Sequence, residues 1–347
     1  MKGFQIRSKG NTAVRDDLPL PKLHMNEVLV KVKYSAFCGS DAGLWRVGYA
    51  HEYQGNKPYI LGHELVGEVV DSVDDGQVLY KKGDLVTGRP FFSCGVCRNC
   101  REGQESICEN NQFLPLVQDG NGSFAEYVKL PAKSTFPFDK NVKPEIAVLT
   151  EPLAVAMYDV HKSRIRPHQS AFVSGGGAIG ALIGLYLRYL GVRVVLSEVN
   201  ENRIAFLKEL GLNVINPTRE DGVAAALALN YGKQYDVVFE VCAVQASYDL
   251  CVQVCRSGGS MMLVGVTTAE LSLPIRQLVV RQITLHGVNT YETDDFYQAV
   301  QVINSGILDQ YLEKFVTKIY PLNKAQEAFM HSMEPAGAQM RILCDCE

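Results

Sequence analysis

Cys38, His63 and Glu151 lie far apart in the chain, yet between them they supply a thiol, an imidazole and a carboxyl. Those are the donor types that a catalytic zinc takes from a protein while its fourth position stays open for water or substrate. They stand in the strings Cys38-Gly39-Ser40-Asp41, Gly62-His63-Glu64 and Glu151-Pro152, where the adjoining glycines let the backbone turn and bring the ligands together. Asp41 suits the second ring N–H of a ligating histidine. Ser40 is the candidate first proton acceptor, although a serine here also reads as a turn cap. Trp45 is a candidate apolar wall of a substrate pocket, with core filler as the alternative. Singly, the three metal candidates read as a buried thiol, a satisfied core histidine and a surface charge; only as a set do they specify chemistry.

Cys94, Cys97, Cys100 and Cys108 form a separate C-x2-C-x2-C-x7-C cluster, whose tight turns can deliver four thiolates to one tetrahedral metal. A closed four-sulfur shell leaves no open position, so the expected role is to hold a loop in shape. Two disulfides or a nucleic-acid zinc ribbon are the alternatives. The first does not suit a reducing compartment, and the second does not suit a chain without surrounding basic residues. Cys242, Cys251, Cys255, Cys344 and Cys346 read as buried or incidental thiols.

The third chemical feature is Ser174-Gly175-Gly176-Gly177-Ala178-Ile179-Gly180, a G-x-G-x-x-G turn directly after an expected strand and opening an expected helix. Gly175 makes the tight turn, Gly177 admits a pyrophosphate and Gly180 permits close helix packing, while N–H groups at Ala178 and Ile179 face the phosphates. Glu198, about twenty residues on, is placed to accept hydrogen bonds from an adenosine ribose and to repel a 2′-phosphate, which favours NAD over NADP. Arg203 works against that preference unless it is a solvated helix charge.

These groups need a scaffold, and 347 residues with 47% apolar content supply a large core and about two domains. Thirty-four basic against thirty-eight acidic residues, for a net charge of −4, leave no run of cations to follow a phosphate backbone or an anionic membrane. The longest apolar stretch, Ala178 to Leu187, is roughly half a membrane span. No secretory leader is evident, and a soluble cytoplasmic protein is expected.

In the first third, Glu27 to Tyr34, Gly67 to Ser72, Asp84 to Thr87 and Ala125 to Leu130 read as strands, with little helical period. Near Ala171 the pattern changes to alternating strands and helices, the mark of parallel βαβ units. Strands are expected at Ser170 to Ser174, Val192 to Glu198, Asp236 to Val241, Ser260 to Val266 and Gln282 to Val288. Helices are expected at Ile179 to Leu190, Glu201 to Leu210 and Ser247 to Cys255.

The order of these motifs resembles the zinc-dependent medium-chain dehydrogenase family, and within it the sorbitol, polyol and sugar-acid dehydrogenase group. The resemblance implies an α/β fold: a GroES-like, partly barrelled catalytic domain over 1–155 and 292–347 with a structural zinc lobe at about 94–108, and a Rossmann domain, a doubly wound parallel sheet, over 156–291. It implies two zinc ions per chain and NAD, catalytic ligands at Cys38, His63 and Glu151, Glu64 as an exchangeable or supporting ligand, and an active site in the cleft between the domains. It also implies a homo-oligomer, dimer or tetramer. The expected reaction is hydride transfer from a secondary alcohol of a polyol or sugar acid to NAD.

Two departures bear on substrate. Gly43 and Leu44 stand where sorbitol-type relatives carry a relay histidine and its neighbour, and Thr290-Tyr291 replaces an Arg-Tyr pair, leaving Tyr291 as a pocket candidate. His51 and His161 are conceivable substitutes for the relay histidine, with surface positions the plainer reading. An amino-alcohol dehydrogenase of the threonine type shares most of these motifs. A nucleotide-responsive regulator that lost the reaction is the rival from another class, and retention of all three catalytic metal candidates argues against it.

Overall fold

The computed structural model describes residues 1–8, 10–47, 57–73, 80–117, 122–334 and 339–347, and His51 lies outside them. The chain forms two compact units, Met1–Glu151 with Glu292–Glu347, and Pro152–Tyr291. The helix Thr150–Ser163 carries the chain out of the first unit, spanning both residue 151 and the sequence-based boundary at 155.

The first unit is built on a seven-stranded sheet. Its central strand, Glu27–Ala36, alternates buried and half-buried positions, with Val28, Val30 and Val32 closed to solvent, as a period of two requires. Glu64–Val73 pairs antiparallel along one side of it, while Tyr127–Pro131 and Arg341–Asp345 share the other. Leu85–Gly88 and Thr135–Pro137 extend the sheet at one edge, and Val316–Pro321 closes the other by pairing in parallel with Arg341–Asp345. A small sheet of Asn11–Arg15, Gly3–Ser8 and Tyr59–Ile60 covers an aromatic core, in which Phe37 stacks on Phe124 at 4.0 Å and Phe4 meets both rings edge-on.

The second unit is a six-stranded, wholly parallel sheet. Its order is Asn213–Ile215, Arg193–Ser197, Ser170–Ser174, Tyr235–Glu240, Cys255–Leu263 and Thr284–Gly287. That is the doubly wound 3-2-1-4-5-6 arrangement, with its reversal beside Ser170–Ser174. The helices Ala178–Tyr189, Glu201–Glu209, Gly222–Leu229, Gln245–Val254 and Ile275–Arg281 connect the strands. Ser170–Ser174 is buried at every residue, as a strand covered on both faces must be.

Candidate active site

Strand register brings the first donor group together. Ala36 pairs with Glu64 on one side and with Leu343 on the other, so one end of the sheet collects Cys38, His63, Glu64 and Arg341. Gly62 makes the turn into His63 at φ 95°, where a Cβ would lie 2.6 Å from the Phe124 ring and from Ser123 Oγ. The donor atoms of Cys38, His63 and Glu64 lie within 4.8 Å of one another. Glu64 thus stands with Cys38 and His63, where sequence led to the expectation of Glu151 as the carboxylate ligand. Glu151 sits buried in the first turn of Thr150–Ser163, near enough for its charge to add to those favouring protonated Arg341.

Cys38 precedes the helix Gly39–Val47, an element that two glycines hid from sequence reading. Asp41, at the third helical position, accepts from the Cys38 N–H at 3.0 Å, half of a capping box, and its other oxygen lies 3.5 Å from His63 Nδ1. Ser40 Oγ stands 3.4 Å from His63 Nε2. Asp41 therefore couples the backbone of the thiol to the orientation of the imidazole.

Several buried polar atoms here make no hydrogen bond: both carboxylate oxygens of Glu64, His63 Nδ1 and Asp41 Oδ1. Arg341 Nε faces Glu64 Oε2 at 3.1 Å as an ion pair, but its angle is too poor for a hydrogen bond. Carboxylate oxygens without a hydrogen bond, beside a thiol and an imidazole, fit a zinc ion, because a buried polar atom left without a hydrogen bond costs about 1–3 kcal/mol and coordination relieves it. Desolvation pushes the Glu64 carboxyl up, against the opposing charges of Arg341 and His63. Burial disfavours a charged His63, yet Asp41 and Cys38 outweigh it and raise the imidazole's proton affinity, so a metal must displace a proton there.

The remaining site candidates fall elsewhere. Trp45 packs edge-on against Phe329 at 5.7 Å and joins the core of the first unit. Tyr291 is fully buried. His161 meets the Tyr186 hydroxyl at 2.8 Å on the second unit's helices. Arg341 is the residue that sequence reading missed, since nothing local marks a cation in a short terminal strand as buried among carboxylates.

The four lobe cysteines also converge within 4.8 Å and form no disulfide. Cys97 and Cys108 sulfurs stand 4.0 Å apart, close to the ~3.8 Å edge of a tetrahedron with zinc–sulfur bonds of about 2.3 Å. Main-chain N–H groups of Cys94, Cys97, Cys100 and Asn110 point at the sulfurs from 3.3 to 3.5 Å. The N–H groups of Val96 and Cys97 bring the Cys94 thiol down to about 6, whereas desolvation pushes Cys100 up to about 12. A cluster holding both extremes suits a cation that displaces the remaining protons.

In the second unit, Gly175 adopts φ 112°, and a Cβ on Gly180 would lie 1.9 Å from the Gly175 carbonyl oxygen. Glu198 accepts from the N–H groups of Gly176, Val199 and Asn200 at 3.0, 2.7 and 2.9 Å, with Arg203 Nη1 3.9 Å away. Beside them opens a cavity of about 470 Å³, lined in part by Glu198, Pro217, Thr218, Asp221, Cys242 and Val244. It lies outside the carboxyl ends of the strands, where parallel sheets bind nucleotides. Cys242, read from sequence as an incidental thiol, is exposed beside this turn.

Residues 24–140 match the profile of the alcohol dehydrogenase GroES-like domain, and residues 178–305 that of the zinc-binding dehydrogenases. The chain is 30% identical to 2-dehydro-3-deoxy-L-galactonate 5-dehydrogenase of Pseudoalteromonas atlantica, over 92% of each. The chain belongs to the zinc-dependent medium-chain dehydrogenase family. Within that family it is also 29% identical to L-threonine 3-dehydrogenase of Pseudoalteromonas translucida, over 90% of this chain and 91% of that one. A zinc-binding dehydrogenase from Sinorhizobium meliloti bound to NADP superposes with a TM-score of 0.88 at 25% identity, covering 99% of this chain and 98% of its own. As a zinc-binding medium-chain dehydrogenase, the protein is an oxidoreductase that works with zinc and a nicotinamide dinucleotide on a small molecule.

Proposed function

We propose that the protein oxidises a secondary alcohol of a polyol or sugar acid to the ketone, with NAD as the hydride acceptor. The observation that carries this reading is the Cys38–His63–Glu64 donor set, whose buried carboxylate oxygens make no hydrogen bond, in a chain whose relatives include a sugar-acid dehydrogenase. When bound, zinc supplies Lewis acidity toward the alcohol oxygen and NAD takes up the hydride. Cys38 and His63 hold the metal with Glu64, and Glu151 is the alternative carboxylate. Asp41 orients the imidazole, and Arg341 offsets the charge of Glu64. Ser40, whose Oγ stands 3.4 Å from His63 Nε2, would accept the hydroxyl proton while its own passes to solvent by way of cofactor hydroxyls or water. Cys94, Cys97, Cys100 and Cys108 hold a second, structural zinc.

Gly175, Gly177 and Gly180, with the N–H groups of Ala178 and Ile179, cradle the pyrophosphate, and Glu198 receives the adenosine ribose. The anchored Glu198 carboxylate repels a 2′-phosphate and favours NAD, with Arg203 as the residue that tempers the preference. Trp45, half-buried against the first unit's core, and Tyr291, fully buried, remain the proposed substrate-pocket residues. An amino alcohol of the threonine type is the second reading, favoured by the threonine dehydrogenase relative.

A panel of polyols, aldonic acids and threonine, followed by NADH absorbance, tests the assignment. Turnover of threonine alone would refute the polyol and sugar-acid reading, and no turnover with one zinc per chain would point to an inactive regulator. No described helix is long and apolar enough to cross a membrane, in keeping with a cytoplasmic location. A homo-oligomer is supported by Val266, Ile275, Val279 and Val280, apolar side chains exposed on the second unit near its edge strand Thr284–Gly287.

A further inference from the structure

The lobe's hydrogen bonds reach a point in the chain that a merely loop-shaping metal would not need to touch. Between Cys100 and Cys108 the chain makes a single 3-10 turn, Glu105–Ile107, whose last carbonyl accepts from Asn99 Nδ2 at 2.7 Å and whose first accepts from the Cys108 N–H at 3.0 Å. Closing four sulfurs on one metal therefore fixes that turn. Two of its side chains then reach residues 292 and 293, where the polypeptide returns to the first unit from the nucleotide-binding one. Ser106 donates through its N–H at 3.0 Å and through its Oγ at 2.5 Å to the two oxygens of Glu292. Glu105 Oε2 accepts from Thr293 Oγ1 at 2.6 Å, from Ser93 Oγ at 3.0 Å and from Arg89 Nη1 at 2.6 Å. Arg89, itself buried, donates to Thr293 Oγ1 as well.

Glu292 is also the N-cap of the helix Thr293–Ser305, in a reciprocal capping box with Asp295. One carboxylate is thus held by the lobe on one side while it starts a helix on the other. Hydrogen bonds with an ionised partner are the stronger kind, and this small region collects several.

We propose that the four-cysteine lobe is a latch on the returning chain: its metal orders Glu105 and Ser106, which clamp Glu292 and Thr293 and so fix one of the two points at which the nucleotide-binding unit joins the first unit. Glu105, Ser106 and Glu292 are positioning residues, acting through the chain they hold. The lobe's metal then tunes coenzyme binding through the chain's own connection. The inference rests on the four sulfurs holding zinc, and metal analysis checks that part separately.

The test is a cycle of Ser106→Ala, Cys94→Ser and the double variant, read by hydrogen exchange and by coenzyme titration. Ser106→Ala, with both zinc ions retained, is expected to speed exchange of the 292–296 amides about tenfold, to weaken NADH binding several-fold, and to leave exchange in Glu27–Ala36 unchanged. In Cys94→Ser protein, which has lost the lobe zinc, the same serine change is expected to add nothing, because the latch is already open. If the two changes add independently, or if Ser106→Ala leaves NADH affinity and 292–296 exchange unaltered, the latch is refuted. Should Cys94→Ser fail to fold, stepwise chelation of the wild-type and Ser106→Ala proteins gives the same comparison. Wild-type protein with no zinc in the lobe would overturn the metal premise, whatever Ser106→Ala does.

Discussion

Gly177→Ala separates what the fold needs from what the coenzyme needs. Gly177 lies in ordinary extended backbone, φ −67° and ψ −175°, which alanine adopts without strain. A Cβ there would meet only Arg203 Nη1, at 3.9 Å. Its neighbours differ: a Cβ on Gly176 would lie 2.5 Å from Leu207 Cδ1, and one on Gly180 only 1.9 Å from a main-chain oxygen, so both are demanded by packing. Among the described residues the space at Gly177 is otherwise free, and Gly177 belongs to the turn proposed to receive the pyrophosphate. A methyl inserted against a bound phosphate costs about 1–3 kcal/mol, as overpacking does, which is about a 5- to 150-fold loss of affinity. Titration of NADH fluorescence and a thermal melt of the free protein give the two readouts. The expected result is an unchanged melting temperature with an affinity loss in that range, while Gly180→Ala loses both. NADH binding within twofold of wild type for Gly177→Ala would refute the placement of the pyrophosphate.

Cys38→Ser should leave one zinc per chain by metal analysis and lower turnover roughly a thousandfold, equivalent to about 4 kcal/mol of lost Lewis-acid stabilisation. Asp236 accepts from the Ser170 N–H at 2.9 Å and from Arg256 Nε at 2.8 Å; burial opposes its charge, but those bonds outweigh it and hold its carboxyl below the ordinary value. A depressed folded pKa means stability that is present above about 3.9 and lost as pH falls through the folded value. Asp236→Asn should therefore lower the melting temperature at pH 7 and converge on wild type toward pH 2. Val279→Glu with Val280→Glu should shift sedimentation toward the monomer, and an unchanged sedimentation coefficient would exclude that face as the subunit contact.

The nucleotide turn was legible because everything it needs is contiguous: glycines at fixed offsets, a strand before and a helix after, and an acid at the end of the next strand. The alternation around Ser170–Ser174 and Ala178–Tyr189 was legible for the same reason, since burial on both faces leaves an unbroken apolar run and a helix leaves a period of 3.6. Asn213–Ile215 and Gly222–Leu229 escaped notice, the first for its shortness and the second because a run of alanine and leucine carries little periodicity. Gly39–Val47 was hidden by its glycines, although Asp41, three positions past Cys38, was a readable start signal.

The sequence alone determined the donor types, the two metal groups and the coenzyme class, because residue chemistry and short spacings are properties of neighbouring positions. Which carboxylate meets Cys38 and His63, and which cation faces it, was decided only by tertiary structure. Glu64 and Arg341 arrive there through the registers Ala36 to Glu64 and Ala36 to Leu343. Strand register is set by burial summed over whole sheets, and a slip of one residue would turn every one of those side chains to the other face.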